Sequence, residues 1–216
     1  MARKFEDWLD AAYQAGGDRQ TLDRVYDDWA REYDQDLWAS GNPYTAVTAG
    51  MAGRYIPARD ARILDGGCGT GNMGELLHLL GYGNIVGIDA SDGMLAVARA
   101  KSCYAAVHKM LLGAKIDLPA ESFDAVTAAG VLTHGHAPPQ SLDGLLGLAK
   151  PGAPIIFSIS KVAMEEDGFG EKIAALDRAG AWTLEERTEP FRTYPFSPDY
   201  ADLHHWINVY RKAGAG

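Results

Sequence analysis

Apolar residues recur with two different periods along this chain, and the change comes near residue 60. Phe5, Trp8, Leu9 and Ala12 fall at i, i+3, i+4 and i+7, one stripe of a short amphipathic helix that Gly16-Gly17 ends. A cap at Thr21 then opens a second helix with the stripe Leu22, Val25, Tyr26, Trp29, Ala30 and Tyr33. Gly41-Asn42-Pro43 is a turn whose proline is placed to start a third helix, which runs toward Tyr55 and stops before Pro57. Residues 1–57 therefore read as a helical cap, part of the same domain as residues 58–216.

From Arg62 short apolar runs alternate with helical patterns at the spacing of βαβ units, the mark of a mostly parallel sheet covered on both faces. Strands are expected at Arg62–Asp65, Ile85–Asp89, about Ala105–Lys109, Phe123–Ala129 and Pro154–Ile159. Helices fit between them at Asn72–Leu80, Asp92–Lys101 with Ser91 as cap, and Ser141–Lys150, which Pro151-Gly152 stops. A helix near Glu171–Ala179 precedes two last strands, Trp182–Thr188 and His205–Arg211. Their connection is too short for a helical crossover, so they pair antiparallel at one edge.

Composition narrows the class. A chain of 216 residues, 47% of them hydrophobic, supports one α/β domain with a buried sheet. The 29 acidic and 20 basic residues leave a formal charge of −9, which disfavours nucleic-acid partners. Two cysteines, Cys68 and Cys103, form no CxxC pair and fit a reducing compartment; neither a disulfide framework nor a metal site is expected. The charged start Met1-Ala2-Arg3-Lys4 and the lack of a long apolar run point to a cytoplasmic protein with no membrane partner.

The candidate chemistry lies where the first strand meets the first long helix, in Asp65-Gly66-Gly67-Cys68-Gly69-Thr70-Gly71. Glycine suits this turn because the backbone visits positive φ and because a side chain would keep a ligand from the N–H groups. Gly69, Gly71 and Gly74 also satisfy the dinucleotide spacing G-x-G-x-x-G. That fingerprint, however, begins directly after its strand, whereas here Asp65 to Cys68 intervene. A carboxylate at Asp65 repels a pyrophosphate but attracts the ammonium of an amino-acid moiety, which favours S-adenosylmethionine over NAD. Asp89, roughly 18 residues after Gly71 at the end of the second strand, is placed to accept both ribose hydroxyls. Met94 lies either on the adenine face or in ordinary core packing.

These segments, with Gly87-Ile88-Asp89-Ala90-Ser91-Asp92-Gly93-Met94-Leu95, Leu118-Pro119, Ser122-Phe123-Asp124-Ala125-Val126 and Leu148-Ala149-Lys150-Pro151-Gly152, resemble the class I S-adenosylmethionine-dependent methyltransferases over about residues 60–160. Besides those motifs, Tyr26–Asp36, Gly130-Val131-Leu132 and Tyr210-Arg211-Lys212 resemble the methyltransferase-like protein encoded in the Williams–Beuren syndrome region and its bacterial relatives. The resemblance implies a Rossmann-like doubly wound sheet of seven strands, mostly parallel with the last antiparallel, preceded by N-terminal helices. It implies that Asp65, Gly67, Gly69 and Gly71 line the methionine portion of the cofactor, with Gly66 and Cys68 in the same loop. Asp89 would hold the ribose with Ala90 beside it, and Gly130 would pass close to the cofactor. Relatives often carry an acidic residue four positions before Leu-Pro, facing adenine; Ala114 stands there, leaving adenine to backbone groups and apolar contacts such as Leu112.

A sulfonium is already a good electrophile, so the protein need only align acceptor, methyl and sulfur and exclude water. Tyr26, Trp29 and Tyr33 form either an aromatic lid over the sulfonium or the core face of their helix, and Tyr33 can also bond the cofactor carboxylate. His134, more than His136, is a candidate general base at the carboxyl edge of the sheet, with solvated loop histidines as the plain alternative. Phe191–Pro198 either walls the acceptor pocket or covers the sheet edge. The expected activity is methyl transfer to a small molecule, releasing S-adenosylhomocysteine. The rivals are a non-catalytic module that only binds the cofactor and an NAD(P)-dependent oxidoreductase. The second lacks a tyrosine followed four positions later by lysine. The acceptor and the oligomeric state are not legible.

Overall fold

The computed structural model describes residues 3–214. Four helices, α1 (Phe5–Gln14), α2 (Arg19–Trp29), α3 (Tyr33–Ala39) and α4 (Tyr44–Tyr55), come first. Then follow β1 (Arg62–Gly66), α5 (Asn72–Leu79), β2 (Asn84–Asp89), α6 (Asp92–Ala100), β3 (Ala106–Lys109), β4 (Ala125–Leu132), α7 (Ser141–Leu148) and β5 (Pro154–Ser160). The chain ends through α8 (Lys161–Glu166), α9 (Phe169–Arg178), β6 (Trp182–Arg187), β7 (Phe191–Arg192) and β8 (His204–Lys212).

The strands form one sheet in the order β3-β2-β1-β4-β5-β8-β6, with β7 paired to β8 outside that path. The first five in space are parallel, and β8 runs antiparallel to both β5 and β6. The antiparallel pair foreseen at the edge is present, with β8 inserted between β5 and β6. The expected count of seven strands becomes eight, because Phe191 and Arg192, read as part of a connecting segment, pair with His205 and His204.

The apolar runs are continuous because both faces are covered. Successive residues point to opposite sides: Leu64 and Val86 pack with Leu142, Leu145 and Phe169 of α7 and α9. Ile63 and Ile85 instead meet Ala49, Ala52, Met73 and Leu77 of α4 and α5. Chain order reverses between β1 and β4, so a crevice opens outside their carboxyl ends, where open α/β sheets hold ligands.

Two helical expectations change. The cap of α2 is Asp18, whose carboxylate accepts from Thr21 N–H at 3.1 Å, so the helix begins earlier than a Thr21 cap implies. The stripe from Leu22 to Tyr33 is not one helix: α2 stops at Trp29, and α3 starts at Tyr33. The buried Trp29 indole bonds Asp36 across the break at 2.7 Å and meets Tyr33 edge-on at 4.7 Å, so tertiary packing overrides the periodicity. Helix α8 was not foreseen; Ser160 caps it by accepting from Ala163 N–H at 3.1 Å. Ser91 caps α6 as expected, bonding Met94 N–H at 3.0 Å.

Candidate cofactor and acceptor cleft

At the carboxyl end of β1 the chain turns into α5 through residues 67–71. Gly67 and Cys68 both donate backbone N–H groups to Ile88 O, at 2.8 and 2.9 Å, fastening the loop to β2. Asp89, ending β2, accepts from Gly69 N–H through Oδ2 and from Ser91 N–H through Oδ1, both at 2.9 Å. Each oxygen retains a lone pair, and the side chain forms part of the cleft wall. Removal from water raises the Asp89 carboxyl, opposed by the N–H donors of Ser91, Gly69 and Ala90 and by the charge of Arg19.

Two loop glycines serve different ends. Gly67 has φ +72°, and a Cβ there would lie 2.6 Å from Val131. Gly69 has φ +52°, but a Cβ would meet nothing within 4 Å, so its open side faces the cleft it lines.

Asp65 is turned away from that space. Tyr104 O–H donates to its Oδ2 at 2.7 Å and Thr127 O–H to its Oδ1 at 3.2 Å, and burial pushes its carboxyl up to about 6. The Tyr104 oxygen also accepts from Gly74 N–H at 3.2 Å. A Cβ at Gly74 would overlap the Tyr104 ring, so the third glycine of the apparent dinucleotide spacing makes room for this tyrosine. Asp65 thus sits beneath the loop, outside the lining of the cleft, as do Gly66 and Gly71. Tyr104 and Thr127 were not singled out in the sequence, since nothing near Asp65 marks residues so far along the chain.

The cleft, about 670 Å³ with its open mouth included, has three walls. The ends of β2 and β3 with the start of α6 supply Asp89, Ala90, Ser91, Met94, Met110 and Leu112. The ends of β1 and β4 supply Gly67, Gly69, Ala129, Gly130 and Val131. The third wall is helical and loop-borne: Arg19, Leu22, Tyr26, Tyr33, His136 and Ala137. An adjoining smaller hollow takes in Cys68 and Thr70 beside Tyr33, Gly67 and Gly69. Exposed Ala114 lies outside both.

Gly130 belongs here because β4 is irregular between Ala128 and Leu132. Its φ is +77°, its N–H donates to Ser158 Oγ at 2.7 Å, and the Tyr44 ring fills the place of a Cβ. Such irregularities re-aim a strand beside a functional site; here they turn residues 129–131 to the cleft.

The aromatic stripe divides: Trp29 is core, while Tyr26 and Tyr33 face the cleft. The two loop histidines take the opposite places from those expected. His134 is half exposed, with Nδ1 2.9 Å from Asp167 Oδ1, and does not line the cleft. His136 does: its Nδ1–H donates to His134 O at 2.7 Å, leaving Nε2 to accept Tyr26 O–H at 2.6 Å. Removal from water holds the imidazole down at about 4, so it is neutral at pH 7. Neither ordered nitrogen is free to take a proton from an acceptor directly.

The helical wall is tied to the sheet. Asp27 Oδ1 of α2 accepts from Ser91 Oγ–H at 2.6 Å and Gly93 N–H at 2.8 Å. Asp34 of α3 accepts from Thr70 O–H and pairs with Lys101 at 2.7 Å. No helix among the described residues is long and apolar enough to cross a membrane.

Residues 64–157 match the family model described as methyltransferase domain. Methyltransferase-like protein 27 of Homo sapiens is 31% identical over 163 residues, 73% of this chain. The chain spans 66% of that human protein, just under two thirds of its length. Demethylmenaquinone methyltransferase of Clavibacter sepedonicus is 29% identical over 202 residues, covering 86% of this chain and 79% of that enzyme. Among solved structures, an S-adenosylmethionine-dependent methyltransferase from Mesorhizobium loti superimposes with a TM-score of 0.56 at 19% identity, over 76% of this chain and 98% of that one.

Proposed function

This chain belongs to the class I S-adenosylmethionine-dependent methyltransferases, and from that premise we propose that it transfers the methyl group of S-adenosylmethionine to a small-molecule acceptor held in the cleft. The observation that carries the proposal is the joining of two sites in one space: the glycine loop with Asp89, and the wall of Arg19, Tyr26 and His136.

The residues suit the cofactor. The open face of Gly69 leaves backbone within reach of a ligand, and the Asp89 carboxylate has lone pairs left for the two ribose hydroxyls. Ala90, Met94 and Leu112 give adenine an apolar slot. Gly67, Cys68, Gly69, Gly130 and Tyr33 would hold the methionine portion. We assign Asp65, Gly66 and Gly71 the task of shaping this loop: Gly66 has no room for a Cβ beside Leu145, and Gly71 opens α5 at φ +92°. The bound cofactor supplies a methyl carbon activated by its sulfonium sulfur.

The protein's part is alignment and exclusion of water. The aromatic faces of Tyr26 and Tyr33 favour a cation in the cleft. The described part of the N-terminal segment, residues 3–57, acts as a cap within the same domain, closing the cleft through the Asp27 and Asp34 bonds. The relative named as a demethylmenaquinone methyltransferase supports an acceptor of small-molecule size. The test is a screen of metabolites read by release of S-adenosylhomocysteine. Turnover on at least one compound is expected, and binding of the cofactor with no turnover across the panel would leave a binding module instead.

A further inference from the structure

One charge on the cleft wall has an unused donor. Arg19, the first residue of α2, lines the cleft with Leu22, Tyr26 and His136. Its Nη2 pairs with Asp23 one turn along the helix. Its Nε–H is buried and meets no acceptor among the described residues. An enclosed donor without a partner is costly, so a guanidinium turned to face an acceptor in the cleft recovers a bond that its present position lacks.

The neighbours fix the sign of that ligand. Among the cleft-lining residues Asp89 is the one carboxylate, and both its oxygens already accept backbone N–H groups at the end of β2. His136 is neutral, kept so by removal from water and further by the Arg19 charge. Tyr26 is a neutral phenol whose proton is committed to His136. This end of the cleft therefore holds one fixed positive charge, partly offset by Asp23 and by Asp89, whose carboxyl that charge helps to lower, and apolar surface from Leu22 and Ala137.

We propose that the methyl acceptor carries a carboxylate, which the Arg19 guanidinium binds while Leu22 and Tyr26 pack its apolar body. This rests on the reading of the cleft as a methyl-transfer site. A carboxylate also ends the methionine portion of the cofactor. The residues assigned to that portion run from the main cleft into the hollow beside Cys68 and Thr70, which Arg19 does not line; with the cofactor carboxylate directed into that hollow, the acceptor is the better match for Arg19.

The probe is benzoate, titrated calorimetrically into the chain with and without saturating S-adenosylhomocysteine, against uncharged benzamide. Benzoate is expected to bind the saturated chain at least about tenfold more tightly than benzamide. Arg19→Met should weaken benzoate at least about tenfold while leaving S-adenosylhomocysteine affinity within about twofold. Arg19→Lys, which keeps the charge but moves the donor, should fall between, with thermal unfolding confirming that both variants fold. The proposal fails if benzoate does not bind, if benzamide binds as well, or if Arg19→Met leaves benzoate affinity unchanged. A parallel loss of S-adenosylhomocysteine affinity in Arg19→Met would assign Arg19 to the cofactor and also overturn it. Failure of S-adenosylhomocysteine to bind the unaltered chain would instead refute the underlying reading.

Discussion

The two sides of the cleft are built by different means. On the sheet side, backbone does most of the positioning: Gly67, Cys68 and Gly69 donate N–H groups to the end of β2, at Ile88 O and Asp89 Oδ2. On the helical side, side chains do it: Tyr26 O–H reaches His136 across 110 positions of sequence. A backbone-built site follows from strand register and short spacings. A side-chain-built site depends on how distant segments pack, and it can be rebuilt for another acceptor without disturbing the sheet.

Substitutions on each side should separate these roles, and the largest effect is expected in the loop. Gly67→Ala combines a left-handed backbone with a Cβ 2.6 Å from Val131, which should cost roughly 2–5 kcal/mol of stability in denaturant unfolding. Gly69→Ala has the backbone strain without the clash. It should cost only about 1–2 kcal/mol, yet weaken S-adenosylhomocysteine because its methyl enters the cleft. Equal losses of stability would contradict the distinction between packed and open glycines.

Next in size is Asp65. Its native carboxyl titrates near 6 and its unfolded one near 3.8, so the native state binds more protons between these values. The stability it contributes is full below about pH 4 and is lost as pH rises through 6, a change of roughly 3 kcal/mol. His136, held down to about 4, has the opposite slope. The stability of the unaltered chain minus that of Asp65→Asn isolates the effect and should fall across pH 4–6; a flat difference would show that Asp65 is not held in this buried network.

Tyr26→Phe tests the helical side. It leaves His136 Nε2 without its donor and should cost about 1–2 kcal/mol, with S-adenosylhomocysteine affinity changed less than about twofold. A large loss of that affinity would show that Tyr26, like Tyr33, serves the cofactor rather than the acceptor.

The same contrast explains what was legible in the sequence. The βαβ alternation located the parallel strands, and Gly69 and Asp89 both line the cleft because their spacing reflects one turn of chain between neighbouring strands. Asp65 lies in the motif too, but its orientation is set by Tyr104, 39 positions away, and no local pattern carries that. His134 and His136 lie two positions apart in one loop, and the sequence favours the wrong one for the cleft. What separates them is Asp167 drawing one outward and Tyr26 holding the other in. The break between α2 and α3 was hidden because the Trp29 and Tyr33 packing that makes it preserves the helical stripe.

The central claim is that one cleft, anchored by Asp89, binds the methyl donor. Calorimetric titration of S-adenosylhomocysteine into the unaltered chain and into Asp89→Ala tests it most directly, with circular dichroism confirming the fold. Two charge-assisted hydrogen bonds at about 1.5 kcal/mol each predict a loss of at least about 100-fold in the variant. Unchanged affinity in a folded Asp89→Ala protein would contradict the account and move the cofactor elsewhere.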